Sequence, residues 1–158
     1  MKNKFLSLCI FCIAFLSACK KDSTENIDTE YPTIDITNTN AFPKQCSTVK
    51  RGQKFMFRAQ LSDNASLGSV SVDIHHNFDQ HTHSTEVESC NLDAKKNPIK
   101  PFLLIQVFNI PAGLKTYDLQ QEITVPADID AGDYHFMIRL TDKEGWQSIK
   151  GLSIKVID

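Results

Sequence analysis

The sequence predicts an all-β domain, an antiparallel sandwich of about seven short strands, on three observations. Apolar residues recur with period two along most of the chain after residue 31. Turn-forming groups separate these runs: Arg51-Gly52, Asp63-Asn64, Pro111-Ala112-Gly113, Ala131-Gly132-Asp133 and Glu144-Gly145. No window of three or four turns carries apolar residues at 3.6-residue spacing, so no amphipathic helix competes.

Each run justifies a strand. In "KFMFRAQL", Phe55, Phe57, Ala59 and Leu61 alternate with Met56, Arg58 and Gln60. In "SVSVDIHHNF", Val70, Val72, Ile74, His76 and Phe78 share one face, and Ser71, Asp73, His75 and Asn77 the other. "PFLLIQVFNI" is apolar on both faces, the pattern of a strand buried between layers. "DYHFMIRL" sets Tyr134, Phe136, Ile138 and Leu140 inward, and "LSIKVI" adds Leu152, Ile154 and Val156. About 125 residues suffice for one such domain and not for two. Trp146 follows a hairpin glycine and is expected to pack on the sheet edge.

The N-terminus speaks to location. Lys2 and Lys4 precede an apolar run from Phe5 to Leu16, too short to span a bilayer, and small residues follow. Residues 1–18 therefore read as a secretory signal. Leu16-Ser17-Ala18-Cys19 resembles a bacterial lipobox, which implies that Cys19 is acylated and becomes the first residue of the mature chain. Cys9 and Cys12, although spaced C-x-x-C, leave with the signal. Residues 19–30 are polar and aperiodic, a lipidated flexible tether reaching on the order of 20 Å. The start "CKKD" resembles the charged signal that sends some Bacteroidetes lipoproteins to the cell surface. The expected address is the outer membrane, on its periplasmic or outer face, with the domain occupying residues 31–158.

Removing Lys2 and Lys4 from the chain's 17 Lys and Arg leaves 15 against 19 Asp and Glu. That acidic balance argues against nucleic acid as a partner. Two cysteines remain in the folded part, Cys46 and Cys90, and outside the cytoplasm such a pair is expected to form a disulfide. Two buried thiols, or metal ligation by Cys90 near the histidines, are the competing readings.

The chemistry concentrates in "DIHHNFDQHTHS", residues 73–84, with four of the chain's five histidines. His75 lies on the polar face and His76 on the apolar one, so both cannot enter one site without a bulge. His81 and His83, two apart, project from one side of an extended segment with Cα atoms about 6.5–7 Å apart. A turn through residues 77–80 folds them back beside His75. The best ligand set is His75, His81 and His83, with Asp79, Asp73 or Glu86 as a fourth donor or as a carboxylate behind a ring. Imidazoles with an optional carboxylate suit zinc, copper or nickel rather than calcium or magnesium. His135 and Met137 form a weaker copper-like pair on the outward face of another strand. The competing reading is a polar loop whose histidines only satisfy backbone groups.

The tail "AGDYHFMIRLTDKEGWQSIKGLSIKVI" resembles the last two strands of bacterial immunoglobulin-like domains. Ile74-His75, Asn77-Phe78-Asp79, His81 and His83, followed by Cys90, resemble the signature of domain-of-unknown-function family 4625, Bacteroidetes lipoproteins with an immunoglobulin-like domain. The resemblance runs from about Tyr31 to the end. It implies the compartment and the sandwich, assigns no activity, and favours a metal role. Two functions remain: a non-catalytic metal-binding module of the cell envelope, taking zinc or copper, or an adaptor lipoprotein docking an outer-membrane protein or polymer. A metal hydrolase with Asp79 or Glu86 as base ranks below both. The chain has no H-E-x-x-H, nucleophile elbow or phosphate loop.

Overall fold

A computed structural model of the chain describes residues 27–83, 85 and 90–158. The expected signal peptide, Cys19, most of the tether and Glu86 lie outside these residues. Eight strands form: β1 (Thr33–Asp35), β2 (Ser47–Lys50), β3 (Lys54–Ser62), β4 (Leu67–His76), β5 (Leu104–Asn109), β6 (Thr116–Thr124), β7 (Gly132–Asp142) and β8 (Gln147–Ile157). They make two sheets, ordered β1-β3-β6 and β2-β8-β7-β4-β5. Every pairing is antiparallel except that of β2 with β8. The all-β sandwich is the one the alternation predicts, and its order is compatible with an immunoglobulin-like arrangement.

The period-two pattern buries its inward set. Phe57, Leu61, Val70, Val72, Ile74, Tyr134, Phe136, Ile138, Leu140, Leu152, Ile154 and Val156 are all buried in one core. Each such side chain contributes roughly 1.5–3 kcal/mol by leaving water. Phe57 of β3 meets Phe136 of β7 edge to face at 5.1 Å, joining the two sheets. Tyr134, the third residue of β7, donates its hydroxyl to the Asp130 carbonyl at 2.6 Å, while Phe102 N–H donates to the same hydroxyl at 3.1 Å. This is a tyrosine corner, which fixes the entry into β7.

Two expectations need correction. The run around β5 is not buried between layers: β5 pairs only with β4, and Ile105 and Val107 are 80% and 62% exposed. Its other face sends Phe108 into the core, so the run is apolar on both sides while only one side is covered. The packed part also begins before Tyr31. Asp28 is 8% exposed and accepts bonds from Glu30 N–H and the Asn64 side-chain amide. Polarity alone does not show that a short acidic segment finds donors in a turn some 36 residues on. Trp146 packs edge to face on Tyr31 at 5.1 Å and donates its indole N–H to the Asp28 carbonyl.

Candidate metal centre

The antiparallel register of β4 and β7 builds the floor of the site. Val72, Ile74 and His76 stand opposite Ile138, Phe136 and Tyr134 on the core face, while Asp73 and His75 stand opposite Met137 and His135 on the other face. Directly opposed residues place their Cβ atoms about 4.5–5.5 Å apart, so His75 and His135 are neighbours by register alone.

The segment after β4 supplies the roof. Asn77 N–H donates to the Asp133 carbonyl, and Gln80 N–H to the Asn77 carbonyl, closing a turn in which Gln80 takes φ 59°. Phe78 anchors that turn in the core against Tyr134, with ring centroids 5.2 Å apart. Gln80 Nε2 donates to the Asp93 carbonyl and Lys96 N–H to the Phe78 carbonyl, holding the turn to the returning chain. The chain therefore doubles back and lays His81 and His83 over His75 and His135. His135 Nε2 lies 3.2 Å from the His81 carbonyl oxygen, and His135 is 0% exposed.

The four rings form one cluster. All six centroid separations lie between 4.5 and 5.6 Å. One nitrogen from each of His75, His81, His83 and His135 lies within 4.8 Å of the other three. His75 Nε2 and His83 Nε2 are 3.2 Å apart. Tetrahedral zinc with Zn–N bonds near 2.0–2.1 Å separates its nitrogens by about 3.3 Å, so this edge already has the required length.

Two carboxylates prepare the donors. Asp73 Oδ1 lies 2.7 Å from His75 Nδ1, and Asp79 Oδ1 2.6 Å from His81 Nδ1. An ionised carboxylate can only accept, so each Nδ1 donates, which in the neutral imidazole leaves Nε2 to present its lone pair. The His81 hydrogen bond is also the main cause holding the Asp79 carboxyl below its ordinary range. Asp–His pairs of this kind orient metal-bound imidazoles.

Of the residues singled out from the sequence, His75, His81 and His83 come together. Asp79 and Asp73 stand behind His81 and His75 rather than among the clustered ligand atoms. His76 stays on the core face, its ring 5.0 Å from Phe78. The pairing of His135 with Met137 on an open face is corrected: His135 is buried under the 77–83 segment and belongs to the cluster, while Met137 stands opposite Asp73. The signal that could have found it is the register that sets His135 against His75. Cys46 and Cys90 are joined in a disulfide, with Cα atoms 5.6 Å apart, so Cys90 is no ligand.

No curated protein matches the sequence. Among solved structures, the GspB Siglec domain is 18% identical, with a TM-score of 0.42, over 82% of this chain and 59% of that one. The sporulation control protein Spo0M from Bacillus subtilis is 12% identical, with a TM-score of 0.44, over 82% of this chain and 51% of that one. The chain thus spans between half and three-fifths of those two chains. The model of one family, "Domain of unknown function (DUF4625)", matches residues 17–157, and the chain belongs to that family.

Proposed function

We propose that the domain is a non-catalytic binding module of the cell envelope that holds one transition-metal ion, zinc or copper, on His75, His81, His83 and His135. The observation that carries this reading is the convergence of four imidazoles from two strands and a folded-back segment, two of them backed by carboxylates. A polar loop that only satisfies backbone groups has no need of Asp73 and Asp79 behind separate rings. Four protein ligands close a tetrahedral shell, whereas catalytic zinc keeps a position open, so the donor count favours holding or transferring the ion over hydrolysis. Copper(II) suits the same imidazoles in tetragonal geometry. The lipobox-like Leu16–Cys19 supports anchoring by lipid at the outer membrane.

Calorimetric titration of the tag-free protein with zinc and copper(II) tests the reading. One ion per chain is expected, with binding lost in His81→Ala/His83→Ala and strongly weakened in His135→Ala. A titration without heat, or one indifferent to these substitutions in a folded protein, refutes it.

One observation favours a second reading, an adaptor that docks an outer-membrane protein. Ile105 and Val107 expose apolar side chains from β5 on the same sheet face as Asp73 and His75. Crosslinking from this face to a membrane partner in metal-free protein would favour the adaptor.

A further inference from the structure

The other end of β7 holds a second constellation, built from oxygen. Asp142 ends β7, and its Oδ1 accepts Gly145 N–H at 2.6 Å and Trp146 N–H at 2.8 Å, closing the hairpin into β8. Gly68 lets β4 run close beside it: a Cβ there would sit 2.6 Å from the Asp142 carbonyl oxygen. Asp28 arrives from the N-terminal side, its Oδ1 taken by Glu30 N–H and Asn64 Nδ2. One carboxylate oxygen from each of Asp28, Asp142 and Glu144 lies within 4.8 Å of the others.

The independent observation concerns the remaining oxygens. Asp28 is 8% exposed and Asp142 3%, and the Oδ2 atom of each is buried without a hydrogen-bond partner. Burying one unpaired carboxylate oxygen is costly, and placing two together adds like-charge repulsion. A cation held between the two oxygens, or a proton shared by them, relieves both costs. Each Oδ1 already accepts two N–H donors, Glu30 N–H and the Asn64 amide on Asp28 and Gly145 and Trp146 N–H on Asp142, contacts that suit the ionised carboxylates a cation takes.

We propose that Asp28, Asp142 and Glu144 form a binding site for a hard divalent cation of the calcium class, which clamps the chain entering the domain to the β7–β8 hairpin. Carboxylate oxygens are the donors calcium takes, and ligands 2.3–2.6 Å from one ion can lie up to about 5 Å apart, which the 4.8 Å span satisfies. Water completes the shell on the exposed Glu144 side. Magnesium, with shorter bonds and rigid octahedral geometry, fits such a span less well. His135 and Asp142 are seven residues apart on β7, roughly 23 Å, so this site and the histidine cluster are separate.

Trp146 supplies the probe. It is the chain's one tryptophan and bonds both Asp28 and Asp142. Terbium, a luminescent stand-in for calcium, is titrated into the tag-free protein with excitation through the indole. Saturable emission is expected, displaced by calcium but not by potassium at equal ionic strength, and weakened by about tenfold or more in Glu144→Gln through loss of a ligand charge. Glu144 is exposed, so this variant keeps the fold even if Asp142→Asn does not. Terbium binding should survive His81→Ala/His83→Ala, which separates this site from the zinc or copper site. Absent emission, or emission unaltered by Glu144→Gln, overturns the proposal. A protein indifferent to calcium whose stability rises in Asp28→Asn overturns it in favour of a shared proton.

Discussion

Replacing Asp79 by asparagine tests whether the histidine cluster is organised for an ion. The asparagine carbonyl can still accept from His81 Nδ1, so the ring keeps its tautomer and position while losing the anionic partner that makes its Nε2 a stronger donor. Removing such a partner typically lowers metal affinity by about 10–100-fold. Asp79 is itself exposed, with 67% of its side chain accessible, so folding stability should hardly move. The expected signature is split: zinc affinity falls at least about tenfold, measured by competition with a chromophoric chelator, while the denaturant midpoint stays put. Asp73→Asn acts on a different ring, and in the double variant the two losses should multiply, to roughly 10²–10⁴-fold. Unchanged zinc affinity in Asp79→Asn, in a protein where His81→Ala abolishes binding, would refute the orientation argument. A fall in stability without a fall in affinity would make the pair structural.

Tyr134→Phe should lower unfolding free energy by about 2–4 kcal/mol, one lost hydrogen bond plus a buried Phe102 N–H left without its acceptor, read by urea unfolding at constant m-value. Reducing the Cys46–Cys90 disulfide opens a loop closed across 44 residues and should cost about 4 kcal/mol in the chain-entropy model. It should also weaken zinc binding, because the bridge tethers the far end of the segment that carries His81 and His83; titration with and without reductant decides. Amides of Ile99 first, then Lys100, hold the Asp130 carboxyl below 3.8. Its contribution is therefore complete above that pH and is lost as pH falls through the lowered value, so Asp130→Asn should flatten the acid limb of the stability profile.

The parts legible in the sequence are those whose physics is local. Strict alternation located β3, β4, β7 and β8 and assigned their inward faces, because a one-residue slip would turn every apolar side chain outward. The same alternation separated His76 from His75. The strands β1, β2 and β6 were harder to place. The first two are three and four residues long, and β6 buries only Leu119 and Ile123 from "TYDLQQEIT". The misreading of β5 is a failure of context: two apolar faces do not say whether a second layer is present. His135 was paired with Met137 rather than placed in the cluster for the same reason. Its side of β7 was readable, but what lies over that side depends on a segment without periodicity. That segment is fixed by the Gln80–Asp93 and Lys96–Phe78 bonds and by Asp93 N–H donating to Asp133 Oδ2.

The two ends of β7 also explain why the donor types are sorted as they are. At the start of the strand, the outward face is roofed by chain that brings its own aromatic anchor, Phe78, and leaves little room for water around His135. Imidazole suits such a place because it can be buried neutral, and a borderline-soft ion accepts it. At the far end, Asp142 is already committed to capping the hairpin through one oxygen, so a carboxylate is required there whether or not an ion binds. A second oxygen then comes without further design, and Asp28 and Glu144 need only face it. The pairing of β4 with β7 makes no comparable demand on the histidine cluster, although the rings also bond one another, a carboxylate and the backbone, as His135 Nε2 does with the His81 carbonyl oxygen. The hairpin carboxylate is explained by folding first and, as proposed, by a cation second, whereas strand pairing alone does not call for four converging imidazoles, and the proposed metal accounts for their meeting.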